Sequence, residues 1–528
     1  MDGRRPTISS MNGIVAAAHP HAAAAGARIL AHGGNAFDAA VATAAALNVV
    51  EPYMSSLAGQ GLATCWIANE QRVRTLNFVP RIPQAFPVER FSNREELARG
   101  PLCVGVPGNL AGWQELQRAH GRLKLADVFA PAIALARDGY PVTEFNIEEN
   151  NLTEPEIRAH PVLYAVWAKT YTNGSGKLHE GFILRQPDLA RTLEEIGSRG
   201  PEAFYAKLTK HLSATGGCIT STDIAAIKPT WSDPATTRYR DLTVNVPPPP
   251  CEGFQFLLAL AILEGFDIKS MPRNGVQHLD TVWRAIRLSA GERIAHNNPS
   301  PAKLGELFSA ANIERLRARV RDGQPVTGPT EQWTAPQPEP AREQHTTSFS
   351  VADREGNLIC VTQSLGSPYG SAVIVPGTGV LLNNFLYWAD VQPGSPNRSK
   401  SGDALPMCVS PSLSLRDGKP VLALGTPGSY GIKQTQTQAM VQIADFGLAI
   451  QHAIEAPRAR LWDGRKVYAE NRFEPATLAA LAQLGHEVEV GPAWTMRVGG
   501  MHGITVDPET GAKAGGCDPR RDGYVVPA

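Results

Sequence analysis

Thr346 and the two hydroxyl residues Thr362 and Ser364 carry the chemistry that this sequence can do. Thr346 heads the run Thr346-Thr347-Ser348-Phe349-Ser350-Val351-Ala352, and the charged turn Asp353-Arg354-Glu355-Gly356-Asn357 leads on to Leu358-Ile359-Cys360-Val361-Thr362. Apolar and β-branched residues alternate on both sides of that turn, which predicts a β-hairpin. A strand headed by Thr, behind a polar lead-in containing prolines, is what an N-terminal nucleophile needs. The chain cuts itself before the Thr, and the freed α-amine becomes the base for that residue's own hydroxyl. Such an amine has an ordinary pKa of about 7.7–8.0, so a neutral fraction exists near physiological pH. Before the cut the nitrogen is an amide and no base, so the precursor is expected to be inactive toward exogenous substrate. Thr362 and Ser364 alternate on the second strand, share a face, and could return hydroxyls toward Thr346. The plainer reading makes all of these ordinary strand residues, and the rest of the chain must decide between the two.

The elements that would position them begin with a strand-like run, Gly13 to Ala18, and an Ala-rich helix from about Pro20 to His32, closed by Gly33-Gly34. A second buried helix opens at Asn35 to Asp38 and runs to about Asn48, and Leu62 to Ala68 reads as a central strand. Helical patterns dominate from about residue 108 to 325. Within them Pro247 to Pro250 and Gly253 form a rigid turn before the apolar helix Phe254 to Leu263. Residues 324–345 are the most linker-like stretch; beyond them strands and turns alternate, with helices near Gln434–Phe446 and Pro475–Leu484. This order fits two domains, or one α/β fold whose layers both parts supply.

The chain has 528 residues with 50 basic and 50 acidic side chains, hence zero formal net charge, and no basic run. That argues against nucleic acid or an anionic membrane as partner and leaves a small molecule. No apolar segment follows Arg4-Arg5, and the longest apolar stretch, the 12 residues Ala39 to Val50, is too short to span a bilayer. Seven scattered cysteines without CxxC spacing point to reduced thiols in the cytoplasm. His19 and His21 lack a third ligand, and Gly59-Gln60-Gly61 is not a dinucleotide fingerprint, so neither metal nor cofactor is expected.

Across nearly its whole length the chain resembles the γ-glutamyltranspeptidase family of N-terminal-nucleophile hydrolases. The resemblance is carried by Gly33-Gly34-Asn35-Ala36-Phe37-Asp38, Val106-Pro107-Gly108-Asn109-Leu110-Ala111-Gly112-Trp113, Ala136-Arg137-Asp138-Gly139 and Gln186-Pro187-Asp188. Pro248-Pro249-Pro250, Leu381-Leu382-Asn383-Asn384, Ser410-Pro411-Ser412, Gly425-Thr426-Pro427-Gly428 and Glu455-Ala456-Pro457-Arg458 continue it in order. It implies a four-layer αββα sandwich, made of a large chain 1–345 and a small chain 346–528 after cleavage at His345–Thr346. It also implies Thr346 as nucleophile, Ser364 as the hydroxyl that orients it, and an oxyanion hole of two backbone N–H groups at Gly428 and Ser429. A Ser at 429, where the family has Gly, would be strained if that residue needed φ > 0. His345 could aid processing or be incidental.

The resemblance fails where a γ-glutamyl group should be gripped. After Asn383-Asn384, Phe385 and Trp388 stand where classical members carry an amide and an acid, and the nearest acid is Asp390. Met407-Cys408 replaces a Ser-Ser pair, Gly366 an Asn, and Val79 an Arg, with Arg81 close enough to substitute by a loop shift. Burying the zwitterionic end of glutamate there without partners would cost about 2–7 kcal/mol per polar group. The expected function is therefore amide hydrolysis on a small, non-glutamyl acyl group, as in the family's oxamate amidohydrolase-like and acylase-like branch. The alternatives are a true γ-glutamyltransferase or glutathione hydrolase, and a family member that has lost catalysis and serves in binding. The expected partners are the substrate and the chain's own cleaved half, with a further dimer of such units left open.

Overall fold

The computed structural model describes residues 5–328 and 345–528, so most of the linker expected at 324–345 lies outside the described residues. Before Thr346 the strands of the two main sheets are β1 (Ile8–Ser10), β2 (Ile14–Ala17), β3 (Gln60–Ile67), β4 (Arg72–Phe78), β5 (Thr230–Ser232), β6 (Ala235–Tyr239) and β7 (Leu242–Val246). After it come β8 (Thr347–Ala352), β9 (Leu358–Ser364), β10 (Ser412–Arg416), β11 (Lys419–Gly425), β12 (His502–Val506), β13 (Lys513–Cys517) and β14 (Tyr524–Pro527). One sheet runs β14-β2-β8-β9-β3-β4-β5, the other β1-β13-β12-β11-β10-β7-β6, so each mixes strands from both sides of Thr346.

The predicted hairpin is β8 against β9, antiparallel, with Ser348 opposite Thr362 and Ala352 opposite Leu358. β8 pairs on its other edge with β2, and β9 with β3, so the segment after Thr346 is a central strand.

Side-chain alternation divides the interior. Val15, Ala17, Val351 and Ile359 face the helices α1 (Pro20–Ala31) and α2 (Ala36–Val50). Ile14, Ala16 and Cys360 face the other way and meet Leu413, Ala423 and Ile504 of the second sheet. Val244 and Leu424 cover that sheet's outer face, under α4 (Phe254–Leu263) and α6 (Ile432–Ala444). α3 (Glu144–Arg158) flanks the first helical layer, and α5 (Val276–Ala295) packs on α4. The result is the expected α/β, four-layer αββα sandwich, with strands buried on both faces and therefore apolar over long runs.

Local signals explain the helix ends. Asn35 accepts from the backbone of Phe37 and Asp38, and Asp38 accepts from the Asn35 N–H, a reciprocal cap at the start of α2. Gly26 lies against the Thr43 hydroxyl, which lets α1 and α2 close to contact. α6 departs from the usual pattern, because Gln434, Gln436 and Gln438 lie buried in it. Each amide bridges backbone instead: Gln434 Nε2 donates to Leu461 O at 3.0 Å, Gln436 Nε2 to Leu424 O at 3.0 Å, and Gln438 Nε2 to Ala459 O at 2.8 Å. A polar sequence thus staples the helix to the strands beneath it. All seven cysteines are free thiols. No helix among the described residues is long and apolar enough to cross a membrane.

Candidate active site

Thr346 immediately precedes β8 and is 2 % exposed. Its hydroxyl donates to the His345 carbonyl at 2.6 Å, and the Ser364 hydroxyl donates to the same oxygen at 3.1 Å. Continuing the hairpin register past Thr347–Gln363 brings Ser364 opposite Thr346, which is why both hydroxyls converge on one carbonyl. Thr362 lies one rung further along the same face and stands 3.4 Å from the Ser348 hydroxyl. The structure therefore brings Ser364 to the junction and gives Thr362 a different neighbour.

Ser348 also faces Gly425, at the end of β11. From there Thr426-Pro427 turns the chain into Gly428 (φ 130°) and Ser429 (φ 55°), the latter opening a short helical turn, Ser429–Gly431, that leads into α6. The positive end of that helix favours negative charge at the turn. Ser429 does occupy the left-handed region, where an L side chain costs about 1–2 kcal/mol. Its buried hydroxyl has no hydrogen-bond partner among the described residues. Arg460 Nη1 donates to the Gly428 carbonyl at 2.8 Å, which fixes the peptide whose N–H belongs to Ser429. Gly499 packs beneath Gly428, and Arg458 holds the adjoining Val498 carbonyl at 3.1 Å. The Arg of the Glu455-Ala456-Pro457-Arg458 motif thus braces the turn from behind.

A second group of charges sits behind the junction. Arg521 Nη1 donates to the Thr346 carbonyl at 3.3 Å. Glu51 and Glu149 flank it, both fully buried, and burial pushes each carboxyl up to about 7 against the opposing pull of Arg521. Glu149 Oε2 stands 3.4 Å from His345 Nδ1, and burial with the charges of Arg521 and Arg99 holds that imidazole well below its usual pKa. Sequence reasoning missed Glu51, Glu149, Arg460 and Arg521. None belongs to a local pattern, since remote segments bring each one in.

The residues expected to bind the acyl group divide in two. Phe385, Trp388, Met407 and Cys408 join one buried apolar cluster with Val79, Ile82 and Tyr430. Trp388 meets Tyr430 with ring centroids 5.6 Å apart, so this cluster abuts the Gly428–Ser429 turn. Behind it Lys433, which burial pushes down in pKa, binds the Cys408 carbonyl at 3.1 Å and Glu252 at 3.1 Å.

Asn384 packs on Gly366 and donates to Ala98 O at 2.9 Å and to the Ser367 hydroxyl at 3.1 Å. Asp390 and Arg81 are turned to other work. The Asp390 carboxyl accepts from the Ser395 hydroxyl and from Gln392 N, closing its own loop. Arg81 is exposed and its guanidinium binds the Gly402 carbonyl, Nη2 at 2.7 Å. In this structure both side chains thus bind protein groups. Among the described residues no group of three or more His, Cys, Asp or Glu could hold a metal ion.

The chain is similar to known proteins over nearly its whole length. The family model Gamma-glutamyltranspeptidase matches residues 22–528. The Acylase ACY 1 proenzyme of Pseudomonas sp. (strain SE83) is 32 % identical, over 98 % of this chain and 94 % of that one. The Glutathione hydrolase proenzyme of Bacillus subtilis (strain 168) is 30 % identical, over 98 % of this chain and 91 % of its own length. The crystal structure of cephalosporin acylase from Bacillus halodurans superposes with a TM-score of 0.92 at 29 % identity, covering 100 % of this chain and 98 % of that one. Fold, motifs and full-length similarity together make the chain a member of the γ-glutamyltranspeptidase family and an amide-hydrolysing enzyme of it.

Proposed function

We propose that the chain cuts itself at His345–Thr346 and then uses Thr346 to hydrolyse the amide of a small, non-glutamyl acyl group. The observation that carries the reading is the convergence of the Thr346 and Ser364 hydroxyls on the His345 carbonyl, at 2.6 and 3.1 Å. In the precursor Thr346 Oγ attacks the His345 carbonyl carbon, the C–N bond breaks, and the hydroxyl proton ends on the Thr346 nitrogen. Water then hydrolyses the ester, leaving residues 1–345 and a small chain that begins with Thr346. In turnover the free α-amine takes the hydroxyl proton, Thr346 Oγ bonds to the acyl carbon, the substrate C–N bond breaks with the proton passing to the departing amine, and water then hydrolyses the ester and releases the acid. The N–H groups of Gly428 and Ser429 receive the oxyanion.

The acyl side follows from the apolar cluster of Phe385, Trp388, Met407 and Cys408 and from the engagement of Asp390 and Arg81 elsewhere. Unpaired ammonium and carboxylate groups against that wall would be costly, whereas an apolar or singly charged acyl chain would not. The relatives named acylase fit this reading better than those named glutathione hydrolase. The test is intact mass followed by an amide screen. Two fragments meeting at His345–Thr346, with acyl anilides turned over well above γ-glutamyl-p-nitroanilide, support it. Efficient γ-glutamyl turnover, stimulated by a dipeptide acceptor, would replace it with the transferase reading. An uncut chain without activity would replace it with a binding role.

A further inference from the structure

Both residues joined by the His345–Thr346 bond have buried charged side chains close behind them. On the Thr346 side this is Arg521, which donates to the Thr346 carbonyl at 3.3 Å. On the other side Glu149 reaches the His345 imidazole, 3.4 Å from carboxyl oxygen to Nδ1. Glu149 is 1 % and His345 7 % exposed. Neither Glu149 Oε1 nor His345 Nδ1 has a hydrogen-bond partner among the described residues. A buried polar atom left unpaired is costly. Two of them side by side at a scissile bond ask for a function.

The helix that carries Glu149 is seated firmly enough to aim it. A reciprocal cap between Thr143 and Asn146 starts α3. Asn146 then donates to the Val50 carbonyl at 3.0 Å and to the Tyr53 hydroxyl at 2.6 Å. One turn further on, the Tyr369 hydroxyl donates to Asn150 Oδ1 at 3.1 Å. Glu149 lies between these two anchored positions.

We propose that Glu149 is a positioning residue for self-cleavage: packed 3.4 Å from the His345 imidazole, it limits where the ring, and with it the scissile carbonyl, can lie as Thr346 Oγ attacks. The inference rests on His345–Thr346 being the bond that is cut. Glu149 takes no proton in that step, because the Thr346 hydroxyl proton passes to the Thr346 nitrogen as the C–N bond breaks. As it stands the pair makes no hydrogen bond; on closer approach to the neutral imidazole an ionised Glu149 would accept from Nδ1–H, a protonated one would donate to the bare nitrogen, and a glutamine could do either. Once the bond is cut, the geometry of the His345 carbonyl no longer enters turnover of exogenous amides.

The experiment follows chain cleavage by timed intact mass after cell-free synthesis of full-length wild type, Glu149→Ala, Glu149→Gln, His345→Ala and the double alanine variant. Misplacing a reacting carbonyl by about an ångström slows reaction up to about a hundredfold. Each alanine variant is therefore expected to cleave about ten- to a hundredfold more slowly, and the double variant no more slowly than either single. Cleavage of Glu149→Gln should stay within about threefold of wild type, rescue that a purely structural role for the carboxylate would not give. Additive effects of the two alanine changes would overturn the proposal. So would wild-type cleavage in His345→Ala, which leaves α3 untouched and so decides the matter even if Glu149→Ala folds poorly. A wild-type chain that never cuts at His345–Thr346 defeats the underlying reading instead, which keeps the two failures distinct.

Discussion

Ser364 donates its hydroxyl to the carbonyl of His345, 3.1 Å away, rather than to Thr346 itself. In the uncut chain this donor lies on the oxygen that must take up negative charge when Thr346 attacks. On the proposed reading Ser364 would act first on the bond being broken.

Replacing Ser364 by Ala removes one of the donors on that oxygen. Loss of a single oxyanion donor slows comparable reactions about a hundred- to a thousandfold. The Ser364→Ala precursor should therefore accumulate uncut for a correspondingly longer time, with Ser364→Thr restoring cleavage. Gel densitometry against time measures this.

Thr346→Ala should abolish both cleavage and turnover, and Thr346→Ser should keep both at a reduced rate. Intact mass and an acyl-anilide assay on the same preparation check the pair. Turnover by an uncut Thr346→Ala chain would show that the amine and hydroxyl of residue 346 are not the catalytic pair.

Ser429→Gly should raise stability by about 1 kcal/mol, because the φ of 55° is free of strain for glycine and a buried, unpaired hydroxyl disappears. The backbone N–H remains, so turnover should change by less than about threefold. Denaturant unfolding in a Thr346→Ala background, which keeps one chain, gives the stability, and the cleaved single variant gives the rate.

The Glu51 carboxyl, pushed up to about 7 by burial, carries a definite pH signature. Its folded pKa lies above its unfolded value of about 4.3, so the folded state binds the extra proton between those limits. Stability from this group is complete below about pH 4 and falls as pH rises to about 7, by roughly 1.4 kcal/mol for each pH step of one. Glu51→Gln mimics the protonated form. Its stability relative to wild type should therefore rise between about pH 4.5 and about 7 and level off above. Unfolding curves of both proteins in the Thr346→Ala background, at about pH 5 and about pH 8, test the sign.

The hairpin and the helix positions were legible because two-residue alternation and small-residue helices leave their mark locally, whereas the four layers followed only from the resemblance. α6 illustrates the limit. The expected helix Gln434–Phe446 forms at Ile432–Ala444, yet its glutamines are buried among backbone groups that no local pattern announces. Thr346 and Ser364 could be read from strand register and resemblance. Glu149 and Arg521 could not, because α3 and the segment before β14 meet the junction only in three dimensions. Arg81 and Asp390 show the converse: nearness in sequence said where each residue sits, while Gly402 and Ser395 decide where each side chain points.

The interleaving of strands bears on the history of the molecule. With β8 hydrogen-bonded between β2 and β9, a cut at His345–Thr346 leaves two polypeptides threaded through the same two sheets. The precursor reaches this arrangement as a single chain, in a first-order search. Once cut and unfolded, the halves would have to find each other first, so refolding becomes second order and apparent stability depends on protein concentration. Heating would then end in loss rather than recovery on cooling, and the lifetime of the mature enzyme would be set by its unfolding rate.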